Sequence, residues 1–65
     1  MATRSAQAER TRQRIVDATI GLALTRPLAQ CTLAAIAERA DVSVQTILRA
    51  FGTRDALFDA AVAAA

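Results

Sequence analysis

The sequence predicts an all-α chain: a three-helix bundle built on a helix-turn-helix unit, with the start of a fourth helix. Three observations carry this. Seventeen of the 65 residues are Ala against two Gly and one Pro, and Ala gives up no side-chain entropy on entering a helix. Larger apolar residues recur at three- and four-residue spacing in four separate stretches. The last three stretches each begin just after a Ser or Thr, the residue types that cap helix N-termini. A domain of this size hides only about 60% of the surface its unfolded chain exposes. Its eighteen apolar residues other than Ala suffice for a small helical core but not for a deep catalytic cavity.

Residues 1–9 are small, polar or Ala, with no apolar stripe, and are expected to form a flexible basic N-terminal arm. From about Arg10 to Thr25, Ile15, Ala18, Thr19 and Leu22 fall on one helical face, which Val16, Ile20 and Ala23 widen. Pro27 stops this first helix, because it lacks a backbone donor and pushes Arg26 out of the helical region. Thr32 caps a second helix of about two turns, with Leu33, Ile36, Ala37 and Ala40 inward. Asp41 takes the sharp bend, since Asp tolerates a left-handed backbone better than most residues. Ser43 caps the third helix, residues 44–51. Ile47, Ala50 and Phe51 face inward there, and Gln45, Thr46 and Arg49 face solvent. Gly52 suits the residue just past the helix end, and Thr53 caps a fourth helix whose stripe is Leu57, Phe58 and Val62. That helix reaches residue 65 without a stop signal, so residues 10–65 are expected to form one domain of a longer protein, the alternative being a C-terminal helix that frays.

All eight basic residues are Arg. Arg4, Arg10, Arg12 and Arg14 against Glu9 give the first fourteen residues +3, leaving −1 for the rest and +2 in total. An anionic partner near the N-terminal end is implied. With one Cys and no His, no internal disulfide or multi-cysteine zinc site can form, and a reducing cytoplasm fits. No metal and no cofactor is expected. No apolar run approaches the roughly 20 residues that span a bilayer, so no membrane partner is expected.

Two short helices joined by a tight turn, the second with polar groups outward, describe a DNA-reading unit. Gln pairs in bidentate fashion with adenine and Arg with guanine, and the methyl groups of Thr or Val touch that of thymine. The base-reading candidates on the third helix are accordingly Val44, Gln45, Thr46 and Arg49. Phosphates need donors, which helix N-termini and cations supply. Thr32, Ser43 and Thr53 open the three successive helices, and Arg54 adds charge. An enzyme is disfavoured: there is no His, no Gly-rich phosphate loop and no inward pair of carboxylates, and Cys31 without a base reads as a small apolar filler. A basic amphipathic segment over residues 4–24 could lie on anionic lipid, but matching stripes on the later helices explain its apolar face by burial.

The spacing Arg12-x-x-Ile15-x-x-Ala18, then Thr32-Leu33-x-x-Ile36-Ala37-x-x-Ala40-x-Val42-Ser43, then Thr46-Ile47 and Phe51-Gly52-Thr53-Arg54-Asp55-Ala56-Leu57, resembles the DNA-binding region of TetR-type regulators, a homeodomain-like fold. The resemblance spans most of the chain without gaps. It implies a dimeric repressor of a palindromic double-stranded DNA operator, with a larger helical C-terminal domain that forms the homodimer and binds a small-molecule effector in the full-length protein. It also places Arg12 at the DNA flank, among the phosphate contacts. Leu48 stands where the family generally has an aromatic, often Tyr with a phosphate-bonding hydroxyl, and so is not counted as a contact. Asp41 replaces the usual turn Gly, and Pro27 and Ala23 replace a usual Gly and a usual aromatic.

Overall fold

A computed structural model describes residues 4–65. It has four α-helices: α1 (Arg4–Thr25), α2 (Leu33–Ala40), α3 (Val44–Phe51) and α4 (Arg54–Ala64). A single 3-10 turn, Leu28–Gln30, lies between α1 and α2, and there are no strands among the described residues. The all-α expectation holds. The start of α1 differs: residues 4–9, expected as an arm, are its first turns, and only residues 1–3 of that arm lie outside the described residues. The reason is intrinsic preference. Ala6, Gln7, Ala8 and Glu9 are all strong helix formers and extend a nucleated helix without needing a stripe of large apolar residues.

Each helix contributes one wholly buried aliphatic side chain to the centre: Ile15, Ile36, Ile47 and Leu57. Burying each of them stabilises the fold by about 1.5–3 kcal/mol. Val16, Leu22, Ala18, Ala37, Ala40 and Ala61 complete the core. Thr19 is buried too, with its hydroxyl donating to the Ile15 carbonyl at 2.8 Å within the same helix. Cys31 is fully buried and its thiol donates to the Pro27 carbonyl at 3.6 Å, the filler role expected of it. The amphipathic stripe of α1 is thus covered by α2, α3 and α4. No described helix is long and apolar enough to cross a membrane.

The inward stripe of α4 runs through Leu57 and Ala61, not through Val62, which is 75% exposed. Leu57 and Ala61 are four residues apart and stack on one face, whereas Val62 sits about 140° around the helix from Leu57. Ala23, expected inward, is exposed for the same kind of reason, one position past buried Leu22. Leu24, Leu28 and Val62 surround an apolar depression lined also by Ile20 and Phe58.

Candidate nucleic-acid interface

The turn between α2 and α3 is closed by backbone alone. Asp41 takes a left-handed conformation (φ 59°, ψ 46°). Its N–H donates to the Glu38 carbonyl at 3.3 Å, and the Val42 N–H reaches the Ala37 carbonyl at 2.9 Å. This pair of bonds is a Schellman closure, and Val42 packs against the core beneath it. At the next residue the Ser43 hydroxyl accepts from the Thr46 N–H at 3.0 Å and starts α3. Helix, turn and helix are therefore one body with little freedom at the joint.

On α3, Ile47 is buried, while Val44, Ala50 and Phe51 are half-buried against the core. Gln45, Leu48 and Arg49 are the exposed residues of the outer face. Neither Gln45 nor Arg49 has a hydrogen-bond or ion-pair partner among the described residues. Thr46, expected outward, is half-buried, and its hydroxyl lies 2.8 Å from that of Ser43. Leu48, 40% exposed, shares the outer face because it follows Gln45 by three residues; spacing alone would have placed it there.

The phosphate candidates fall into two groups. Ser43 opens α3, and Arg12 stands beside that helix in a groove shared with Ala8, Thr11, Thr46, Arg49 and Ala50. Thr53 opens α4 and caps it by accepting from the Ala56 N–H at 3.0 Å. Thr32 opens α2 and accepts from the Ala35 N–H at 3.1 Å. Arg54 joins these two helix starts, donating to the Leu28 and Cys31 carbonyls at 3.4 Å each, with its guanidinium 4.5 Å from the centre of the Phe58 ring. Arg12 is engaged as well: it donates to the Ala50 carbonyl at 2.6 Å and lies 4.6 Å over the Phe51 ring. Sequence offered both arginines only as phosphate contacts; both also hold the fold together, with donors left over, since a guanidinium carries five N–H groups. Sequence missed Arg14, which donates to the Ala40 carbonyl at 2.6 Å, and Thr11, whose place in the groove follows from its standing one residue before Arg12.

A helix-turn-helix body carrying an exposed, unpartnered Gln and Arg on the outer face of α3 suits a DNA groove. The family model for bacterial regulatory proteins of the tetR family matches residues 15–61. The chain belongs to the TetR family. Its match runs from the buried Ile15 to the buried Ala61, and so takes in all of α2 and α3. TetR-family membership makes this a helix-turn-helix DNA-binding domain of transcription regulators. No curated protein and no solved structure gives a significant match.

Proposed function

We propose that this TetR-family domain binds double-stranded DNA sequence-specifically by inserting α3 in the major groove, with Val44, Gln45, Thr46 and Arg49 toward the bases. The observation that carries the reading is the exposed, unpartnered pair Gln45 and Arg49, one turn apart on α3. Gln45 suits adenine and Arg49 guanine, while Val44 and the Thr46 methyl suit a thymine methyl. Phosphates are met by Thr32, Ser43 and Thr53 at the three helix N-termini, and by Arg12 and Arg54 with the donors their internal bonds leave over. The protein acts in the cytoplasm as a repressor and not as an enzyme. Two copies meet a palindrome whose half-sites lie about 34 Å apart. Dimer contacts and an effector site belong to a helical C-terminal domain outside these 65 residues.

Selection of bound sequences from a random DNA pool tests this. A palindromic consensus is expected. Arg49→Ala should relax preference at one base position by about 1–3 kcal/mol if the contact is bidentate. Arg54→Ala should instead weaken all sequences alike and flatten the salt dependence. A pool that emerges without a consensus refutes base reading, and equal losses on every sequence for Arg49→Ala would reduce Arg49 to a phosphate contact.

A further inference from the structure

We infer that Arg14 is a positioning residue for base reading: together with Arg12 it fastens the helix-turn-helix unit to α1 at two points and sets the angle at which α3 meets DNA. The inference rests on α3 being the base-reading helix. Arg12 donates to the Ala50 carbonyl in the last turn of α3, and Arg14 to the carbonyl of Ala40, the last residue of α2, each at 2.6 Å. Both carbonyls belong to the terminal four of a helix, which have no partner within it. The Leu48 carbonyl of α3 is taken by the Gly52 N–H, and the Ala37 and Glu38 carbonyls of α2 by the turn. The arginines thus fill acceptors that the turn geometry leaves open, at the negative ends of the two helix dipoles, with short charge-assisted bonds.

Residues two apart on a helix point about 200° from each other, so Arg12 and Arg14 leave opposite flanks of α1. Fully buried Ile15 stands between them. Ile36 and Ile47, the buried centres of α2 and α3, supply area but no direction, because apolar contact is non-directional. One directional bond would let the rigid α2–turn–α3 body swing about it. Two, on either side of the core, hold its tilt. Arg14 is also poorly placed to meet a phosphate: the depression it lines includes Asp17 and Asp41 besides Arg39, so the four formal charges sum to zero.

The test uses the sequence recovered by selection, a scrambled duplex of equal length, and three proteins: the parent, Arg14→Gln and Arg14→Lys. Binding is followed by fluorescence anisotropy across a salt series, and folding by far-UV circular dichroism. For Arg14→Gln, helix content is expected to stay and the salt slope to match the parent. The preference for the selected duplex over the scrambled one is expected to fall about tenfold, the worth of one hydrogen bond from a charged donor. Arg14→Lys, which restores a cation but not the planar fork, should recover part of that preference. A salt slope shallower by about 0.9 would mean a lost phosphate contact and overturn the positioning role. An unchanged preference, a Lys variant no better than Gln, or a Gln variant that no longer folds would overturn it as well. Absence of sequence preference in the parent would overturn the reading of α3 and this inference together, whereas a selective parent with an unaffected Arg14→Gln overturns the inference alone.

Discussion

Replacing Gly52 with Ala isolates a backbone effect. Gly52 closes α3, its N–H donating to the Leu48 carbonyl at 2.7 Å, and hands the chain to the Thr53 cap of α4. Its backbone has φ 86° and ψ −52°, outside the left-handed helical well and near the rare γ-turn geometry. A Cβ built there meets nothing within 4 Å, so contact adds no cost and the whole effect is conformational. An L side chain at positive φ costs about 2 kcal/mol, and the restricted unfolded chain returns about 0.7 kcal/mol, leaving a net loss of about 1–1.5 kcal/mol. Total stability for a chain of this length is about 3–10 kcal/mol, so the loss is a sizeable share. At about 4–8 °C per kcal/mol, Tm should fall by about 4–12 °C, read by circular dichroism at 222 nm with the urea midpoint as a second measure. A Tm that stays within 2 °C of the parent, or rises, would refute the reasoning, because it would mean that the α3–α4 joint relaxes at no cost to a conformation open to any residue.

In the same assay Gly21→Ala should raise Tm by a few degrees. Its Cβ meets Arg39 Nη2 at 2.7 Å and Nε at 2.9 Å, but that is the end of a flexible side chain, and about 0.5–1 kcal/mol is gained by removing Gly from a helix interior. A fall in Tm would show that Arg39 is held against the α1 backbone more firmly than its exposure suggests. Ile47→Ala empties the fully buried centre of α3 and should cost about 2–5 kcal/mol, enough to leave a population without cooperative melting at 37 °C; a loss below 1 kcal/mol would show that the core collapses around the gap. Ser43→Ala and Thr53→Ala each remove a cap and should each lower the urea midpoint by the equivalent of about 1 kcal/mol. Equal stability to the parent in either variant would mean that water replaces the cap.

The helix boundaries from residue 25 onward were legible because their signals are local. Thr32, Ser43 and Thr53 each accept from the N–H three residues on, Asp41 and Gly52 take the positive φ that their positions demand, and α3 has its expected bounds. The start of α1 was not legible from periodicity, because residues 6–9 carry no stripe of large apolar side chains and only their helix propensity points to a helix. Val62 reads as apolar and four residues on from Phe58, but it is five from Leu57, the residue at the centre of the buried face, so Ala61 takes the inner place. The outer face of α3 was readable for Gln45 and Arg49, and spacing puts Leu48 there too, whereas Thr46 turned to Ser43. Least legible were the arginines. A guanidinium on three methylenes can reach several neighbours, so the destinations of Arg12, Arg14 and Arg54 depend on carbonyls 23 to 38 residues away in sequence.

Thr19 satisfies its hydroxyl within its own helix, and among the described residues every side-chain hydrogen bond joining a helix to another element comes from an arginine at the rim. The interior is therefore a greased bearing with its latches on the outside. Water can exchange with those latches one at a time, at about 1.5–3 kcal/mol each for a bond to a charged group. The helices can then be re-aimed by small amounts without opening the oily centre, so substitutions at those latches change the tilt of α3 while the packing beneath it stays as it is.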